Sequence, residues 1–413
     1  MQKHGIKKLL NIPDYAIVKA EIKDDTITIW LKPYKRKKSK CGNCGNHHNK
    51  GYHSSGWVKV KDLDMSGRAV YLYVQKRRYM CSKDRQVHTE SINWLKLWSR
   101  VTKRYAMHVS RLTAITTNQE AGWFLGKDDQ AVYRIDKEIL EEQAAKKLNP
   151  PPAAKNMSVD EVSHQKYYKY LTNVIDVDKR KVIWNAKGRT KEIMDGYFQA
   201  IGKENCEAIE SIAMDGARTY ISSAEEHAVN ALLVCDKFHI VAKVNKAVDD
   251  TRKFELKKAR KQDNQELIDL INCKQRFILL KNRNKLTEKQ EGYLERLCAV
   301  NQPIYEAMLL KESFVRLYAC VREEEARKYL TDWISEAFKS RLEYFHDIAN
   351  SLLKKFRYIL NWFKRKISSA ISEGFNNKIK RLKRMGYGYR DVDYFLLKIH
   401  QHCGLLNPRL TTL

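Results

Sequence analysis

The sequence predicts an α/β core that carries a large all-helical insertion, preceded by a β-rich N-terminal module and a pair of helices. Three observations support this organisation: cysteines with metal-ribbon spacing near the N-terminus, three consecutive prolines at 150–152, and an almost purely helical pattern from about residue 240 to 365. Consecutive prolines cannot continue a helix and favour a stiff extended connector. We therefore expect a linker at residues 150–155 between an N-terminal half and a larger C-terminal unit.

The composition indicates a polyanionic partner. Lysine and arginine total 78 against 49 acidic residues, a formal net charge of +29. Such an excess favours nucleic acid binding. Hydrophobic residues make up 43% of the 413 positions, which is enough for two or three cores and argues against a ribosomal-type or membrane-surface protein. No stretch approaches the ~18 apolar residues of a membrane span, and the nine cysteines, an odd number, favour a reducing cytosol.

The N-terminal module, residues 1–98, contains two pairs of strand-like runs and a candidate zinc ribbon. Cys41 and Cys44 have the spacing that lets two thiolates face one metal ion, and Cys81 stands where a second such pair would begin. The fourth position of the ribbon is Asp84 instead of cysteine, and His88 follows it. A carboxylate or an imidazole can complete tetrahedral zinc. The alternative is a ribbon that keeps its fold without a metal.

Residues 99–149 predict a helix-turn-helix. Apolar residues recur near the helical period up to a stretch that includes Ala121, Trp123 and Phe124, and Gly126 then interrupts the pattern. A second helix begins near Gln130, and Arg134 on it is a candidate DNA contact. The second helix would enter the major groove, although generic helical hairpins share this pattern.

The C-terminal unit changes to a strand-rich pattern. Three strand candidates, a helix, a strand, a helix and a fifth strand follow one another, an order typical of an RNase H-like fold. The five strands and the first helix are expected at Asn156–Asp160, Tyr167–Asp176, Lys181–Ala186, Thr190–Ile201, Ile209–Met214 and Ala231–Val234. We expect the core to comprise residues 156–245 and 366–400, and the helical insertion residues 246–365.

Three acids, Asp160, Asp215 and Glu373, stand on the first strand, at the end of the fourth and on a late helix. Two divalent ions about 4 Å apart, held by a few carboxylates, can activate water and stabilise a leaving oxygen. The separations are 215 − 160 = 55 and 373 − 215 = 158 residues, and the insertion explains the longer one. Glu161 is a rival for the first position, and only one of the two acids can face the site because neighbouring strand residues point to opposite sides of a sheet. We prefer Asp160, because an aspartate matches the residue type at the second site. Magnesium prefers such oxygen ligands, so we predict a metal-dependent enzyme that cuts DNA.

Several segments resemble the ISL-three family of bacterial insertion-sequence transposases, which are DDE enzymes. The most specific is Glu373-Gly374-Phe375-Asn376-Asn377-Lys378-Ile379-Lys380 with Arg384–Arg390, and Asp215-Gly216 and Cys235–His239 also match; the last is similar to the (C/D)xxH signature of several transposase superfamilies. The resemblance covers nearly the whole chain.

The resemblance implies that Asp160, Asp215 and Glu373 bind two Mg²⁺ or Mn²⁺ ions. The residues themselves favour a supporting structural role for His239 together with Asp236, and the alternative is an ordinary histidine at the start of a helix. The resemblance also implies nicking at terminal inverted repeats, attack of the 3′-hydroxyl on target DNA, and recognition of the ends by the ribbon and the helix-turn-helix. A homodimer or higher oligomer on double-stranded DNA, in a bacterial cytoplasm and near the nucleoid, is expected. Asp84 departs from the family's fourth ribbon cysteine. Charge alone adds further candidate DNA contacts at Lys378, Lys380, Arg381, Arg384 and Arg390.

Three alternatives remain open from the sequence. A non-catalytic DNA-binding descendant would gain nothing from three acids at a phosphate. An RNase H-like nuclease or resolvase without strand transfer would not explain the paired end-recognition modules. A basic RNA-packaging protein would need neither module.

Overall fold

The structure is a computed structural model of the chain. It describes residues 3–48, 50–95, 100–165, 169–272, 276–281, 283–366 and 370–406. The described residues fall into two compact units, one comprising residues up to 145 together with residue 406, and the other comprising residues 146–405. The division thus lies just before the three prolines. No helix in the described part of the chain is long and apolar enough to cross a membrane.

The first unit begins with a helix and a seven-stranded sheet. The elements are α1 (Lys3–Leu10), β1 (Tyr15–Lys23), β2 (Thr26–Pro33), β3 (Ser39–Cys41), β4 (His47–His48), β5 (Tyr52–Met65), β6 (Arg68–Met80) and β7 (Val87–Ser91). The strand order is β1-β2-β6-β7-β3-β4, and β5 pairs with β6. Alternate residues of the central strands, such as Ile29, Leu72 and Val74, are fully buried, which gives the period of two that a one-sided core requires.

Three helices follow where the sequence predicts a helix, a turn and a second helix: α2 (Lys103–Thr113), α3 (Asn118–Leu125) and α4 (Asp129–Lys147). Thr117 and Glu120 form a capping box at the start of α3, and Gly126 ends the helix in the left-handed region, with φ of 59°. The apolar pattern was wrong for Trp123 and Phe124, whose exposed fractions are 73% and 75%. The short helix packs through small residues instead, since a Cβ added at Gly122 would lie 2.6 Å from the Lys127 carbonyl oxygen.

The second unit contains a five-stranded sheet of order β10-β9-β8-β11-β12. Its elements are β8 (Asn156–Gln165), β9 (Lys169–Asp176), β10 (Lys181–Lys187), α5 (Lys191–Ile201), α6 (Lys203–Glu207), β11 (Ser211–Met214), α7 (Arg218–His227) and β12 (Leu232–Cys235). The first three strands are antiparallel, and β11 runs parallel to both β8 and β12. The structure therefore confirms the predicted order of strands and helices, with α6 as one additional short helix.

The helical part consists of α8 (Lys237–Lys261), α9 (Gln265–Ile271), α10 (Arg276–Leu280), α11 (Glu288–Val300), α12 (Gln302–Arg316), α13 (Glu323–Lys339), α14 (Glu343–Lys354) and α15 (Phe356–Lys364). The predicted start of the insertion at residue 246 lies inside α8, which is continuous. The predicted end is also displaced, because α15 packs on the sheet and Asn361 Nδ2 donates to the Leu233 carbonyl oxygen at 2.8 Å.

The sheet is covered on both faces. On one face, Met157 and Val159 pack in the same cluster as Met194 of α5 and Tyr220 of α7. On the other face, residues such as Val162 pack against the last two helices, α16 (Ala370–Met385) and α17 (Val392–Cys403). The odd-numbered side chains of β8 therefore face α5 and α7, and the even-numbered side chains face α16 and α17. An acidic side chain on β8 can contact only the helices on its own face.

Candidate active site and metal centres

Asp160 lies on the face of β8 that α16 covers. Its side chain is buried, with an exposed fraction of 7%. Asn376 of α16 donates from Nδ2 to Asp160 Oδ2 at 2.7 Å, and the backbone N–H of Glu161 donates to Oδ1 at 2.7 Å. Two residues earlier on the same face, the hydroxyls of Ser158 and Ser372 are 2.5 Å apart. Two polar contacts therefore tie α16 to the strand that carries the first acid.

Glu161, the rival for the first acid, faces the opposite layer. It accepts hydrogen bonds from Arg189 Nη1 at 3.0 Å and from the Tyr220 hydroxyl at 3.3 Å. An ion pair with arginine already neutralises its charge. The alternation of side chains along β8 thus separates the two acids, and only Asp160 shares a layer with α16.

Asp215 follows directly after β11, where the chain turns toward α7. Its Oδ1 accepts from the backbone N–H of Ala217 at 2.7 Å, and Gly216 between them has φ of 77°. Because Met214 pairs with Val159 in the parallel register of β11 and β8, Asp215 comes one residue after this pair at the end of β11, and Asp160 comes one residue after it within β8.

The environment of Asp160 opposes its ionisation. Burial raises the pKa of the Asp160 carboxyl, and the negative charge of Asp215 raises it further. The hydrogen bond from the Glu161 backbone, the charge of His239 and the Asn376 amide act in the opposite direction. Two carboxylates held close together against their repulsion are well suited to a divalent cation, which favours the ionised form of both.

Glu373 lies in the first turn of α16 and is exposed. It directly follows Ser372 and precedes Asn376 by three residues, so the helix presents it beside the two contacts to β8. The oxygen atoms of Asp160, Asp215 and Glu373 do not all lie within 4.8 Å of one another in the described part of the chain. Two metal ions about 4 Å apart require ligands that are more widely spaced than those of a single ion, and the separation of the three acids is compatible with such a pair.

Asp236 and His239 stand at the start of α8. Asp236 caps the helix, with its side chain accepting from the Phe238 N–H at 3.1 Å, and its own N–H donates to the Met214 carbonyl oxygen. His239 Nε2 lies 3.7 Å from Asp236 Oδ2. This arrangement anchors α8 beside β11, the strand that leads to Asp215.

The candidate zinc site brings together three of the predicted ligands. The sulfur atoms of Cys41, Cys44 and Cys81 lie within 4.8 Å of one another. The two turns have matching backbones: the N–H of Cys41 donates to the Asn46 carbonyl oxygen, and the N–H of Cys81 donates to that of Gln86, both at 2.8 Å. Turns of this kind direct both of their metal-binding side chains to one point.

Asp84 and His88 do not join the three sulfur atoms. Asp84 Oδ2 lies 2.7 Å from His88 Nε2 and accepts from Asn43 Nδ2 at 2.8 Å. Hydrogen bonds from the Gln86 backbone and from His88 lower the pKa of Asp84 to about 2. As a charged acceptor with several donors, the Asp84 carboxylate is held away from the position that a fourth cysteine would occupy.

The six candidate DNA-binding cations are all exposed; they are Arg134, Lys378, Lys380, Arg381, Arg384 and Arg390. Five of them lie on or just after α16, whose Phe375, Ile379 and Leu382 are buried against the sheet. The amphipathic helix thus turns its apolar stripe inward and its basic stripe to solvent.

Sequence reasoning missed three polar residues near the acids: Asn376, Lys243 and Lys355. Asn376 could have been found, since it lies one helical turn after Glu373. Lys243 follows His239 by four residues and thus shares its side of α8. Lys355 gave no signal, because only the return of the chain from the helical part brings it to Asp215.

Comparison with known protein families identifies the chain as a transposase. Residues 157–399 match the model of a transposase family of the DDE type, the ISL3 group, and the chain belongs to this family. Residues 37–84 match a second model, described as the zinc-finger of transposase IS204/IS1001/IS1096/IS1165. The predicted class is confirmed: the chain is an enzyme that acts on DNA, and its family implies a divalent metal.

Two named relatives agree with this assignment. The transposase for insertion sequence element IS1001 of Bordetella parapertussis is 30% identical over 388 residues, which cover 93% of this chain and 94% of the relative. The transposase for insertion sequence element IS1557 of Mycobacterium tuberculosis is 24% identical over 377 residues, which cover 85% of this chain and 82% of the relative.

Proposed function

We propose that this transposase binds the terminal inverted repeats of its insertion sequence, cleaves DNA there and joins the free ends to target DNA. The observation that carries the proposal is the meeting of Asp160, Asp215 and the helix of Glu373 at one edge of the sheet. The strand order and the position of these acids further support an RNase H-like core. Residues 1–98 and 99–149 are then the end-recognition modules, with Arg134 on the second helix of the helix-turn-helix.

Asp160, Asp215 and Glu373 would hold two Mg²⁺ or Mn²⁺ ions. When bound, such ions supply an activated water and charge stabilisation at the leaving oxygen. The chain itself orients the carboxylates: Asn376 and the Glu161 N–H fix both oxygens of Asp160, and the Ala217 N–H fixes one oxygen of Asp215. Such fixed orientation lowers the entropic cost of reaching the reactive geometry.

The proposed reaction has two steps. In the first, a water oxygen forms a bond to the scissile phosphorus while the bond to the 3′ oxygen breaks, which leaves a 3′-hydroxyl and a 5′-phosphate. In the second, that 3′-hydroxyl attacks a phosphorus of target DNA and a new 3′ oxygen leaves. Both steps use the same acids, and a homodimer or higher oligomer would hold the two ends together.

Zinc would be held by Cys41, Cys44 and Cys81. The matched turns and the gathered sulfur atoms support this site, and the fourth ligand would have to be water or a group other than Asp84 and His88 in their present positions. Zinc bound here would fix the ribbon fold at the two turns.

The test is divalent-dependent cleavage of DNA carrying the sequences that flank the gene. We expect site-specific nicking with Mg²⁺ or Mn²⁺ by the unmodified protein and none by Asp215→Ala, which should keep or increase its DNA affinity because a negative charge is removed. Asp332→Ala, an exposed acid on α13, is the matched control and should cut normally. Tight binding without cutting would indicate a non-catalytic descendant, and cutting without joining would indicate a nuclease.

A further inference from the structure

Lys355 lies between α14 and α15 and reaches back to the turn that carries Asp215. A Cβ placed on Gly216 would be 3.2 Å from Lys355 Nζ and 3.3 Å from its Cδ. The same added atom would lie 2.8 Å from Cys235 Sγ. Only glycine therefore allows the lysine to pass so close to the backbone beside the second acid, in addition to the positive φ at this position.

The ammonium group of a second lysine lies near Lys355. Lys243 of α8 lies close enough for its charge to act on Lys355, as the charge of Asp215 does, and the charges of both lysines also act on the Cys235 thiol beside Gly216. Both lysine residues are partly buried. Neither forms an ion pair within 4.0 Å with a carboxylate in the ranges that the structure describes.

Two partly buried cations side by side repel each other, and burial strengthens that repulsion because less water screens it. Such an arrangement persists at a cost to folding and is characteristic of sites that bind an anion. Asp215 alone cannot be the partner, because the proposed metal site also requires its charge. An additional anion is therefore needed to balance the pair.

We propose that Lys243 and Lys355 form a phosphate-binding subsite that takes one backbone phosphate of the DNA strand held at the acids. The identity of the ligand as DNA rests on the proposed function. Ammonium groups suit this task as strongly charged donors without a fixed fork geometry. The subsite would set the register of the strand, so that the phosphodiester next to the captured phosphate faces Asp160 and Asp215.

The subsite can be tested one phosphate at a time. The probe is a duplex with the sequences that flank the gene, in which a single uncharged methylphosphonate replaces each backbone phosphate in turn around the cut. Binding is measured with Ca²⁺ in place of Mg²⁺, for the unmodified protein, Lys355→Met and Lys243→Met. Methionine keeps most of the aliphatic stem that packs over Gly216 and removes only the charge. Lys203→Met, on the exposed helix α6, is the matched control.

We expect one methylphosphonate position to weaken binding by the unmodified protein roughly tenfold or more, as the loss of a charge-assisted hydrogen bond does. With the methylphosphonate at that position, Lys355→Met and Lys243→Met should bind the probe as tightly as the unmodified protein does. With the methylphosphonate at any other position, the loss of binding free energy caused by the variant should add to the loss caused by the probe. The proposal is overturned if the losses of binding free energy from variant and probe add at every position. It is also overturned if Lys355→Met and Lys243→Met both bind the DNA as tightly as Lys203→Met does.

Two further measurements separate the possible failures. The melting temperature of Lys355→Met should equal or exceed that of the unmodified protein, since one member of a repelling pair is gone; a fall of several degrees would show a structural role and count against the subsite. Lys355→Arg should restore binding, because it restores the charge. If the unmodified protein binds the probe with the expected register but does not cut with Mg²⁺ or Mn²⁺, the proposed function fails while the subsite stands.

Discussion

Replacement of Asn376 by alanine should weaken the metal site without touching a proposed metal ligand. Asn376 Nδ2 donates to Asp160 Oδ2 at 2.7 Å, and the acceptor is buried. A hydrogen bond to a charged group contributes about 1.5–3 kcal/mol, and loss of a residue that orients a metal ligand typically costs about 10- to 100-fold in metal affinity or activity. We therefore expect the Mn²⁺ concentration for half-maximal cleavage to rise about 10- to 100-fold in Asn376→Ala.

The same variant should shift the pH dependence in a defined direction. The Asn376 amide stabilises the ionised carboxylate and lowers the pKa of Asp160, against the burial that raises it. Without the amide the pKa rises, so the acid side of the pH–rate profile moves to higher pH. The assay is single-turnover nicking at several pH values and Mn²⁺ concentrations, with DNA affinity measured in parallel.

Asn377→Ala is the matched control, because Asn377 is the next residue on α16 and is exposed. It should leave the Mn²⁺ dependence and the pH profile unchanged. If Asn376→Ala behaves like this control, the hydrogen bond to Asp160 does not position the acid and the reasoning fails. A loss of DNA affinity equal to the loss of cleavage would also count against it.

Three further predictions concern other parts of the chain. Asn173 is fully buried across from Asp160, and its side-chain amide has no hydrogen-bond partner among the described residues; Asn173→Val should raise the free energy of unfolding by about 1–2 kcal/mol in urea denaturation, and a decrease would show that the amide is satisfied in solution. Asp84→Cys should raise zinc affinity at least roughly tenfold by supplying the fourth thiolate, measured by competition with a chromogenic chelator; unchanged affinity would place the fourth ligand elsewhere. Arg384→Ala should reduce the slope of log affinity against log salt by about 1, whereas Lys203→Ala should not, and equal slopes would exclude a phosphate contact.

The order of the core elements could be predicted because local patterns encode it. Strands such as β11 and β12 are short apolar runs, and two of the proposed acids lie at or after runs of this kind. The sequence favoured Asp160 over Glu161 through its residue type, and in the structure the alternation along β8 places the two residues in different layers. The pattern could not show the partner of each side chain across the sheet. Lys355 therefore gave no signal, whereas the spacing of Asn376 from Glu373 placed it one helical turn away without revealing its hydrogen bond to Asp160.

The errors have physical causes of the same kind. Trp123 and Phe124 are apolar and follow a helical period, but the tight approach of Gly122 to the turn decides which side of α3 is buried. The boundary at residue 246 could not be seen because one continuous helix, α8, belongs to the sheet at its start and to the helical part at its end. Asp84 occupies a ligand position in the sequence, yet its hydrogen bonds to His88 and Asn43 draw it away.

Because α16 contacts β8 from far along the chain, the order of synthesis determines which parts of the site a shortened product contains. A ribosome completes the ribbon, the helix-turn-helix, Asp160 and Asp215 well before it reaches Ser372 and Asn376. Any shortened product that stops before α16 would keep the modules that we propose to recognise the ends of the element but lack the helix that contacts Asp160 and carries Glu373. On that proposal, such a fragment would occupy the ends without cutting them and would compete with the full-length enzyme, so that premature termination alone would restrain the element's movement.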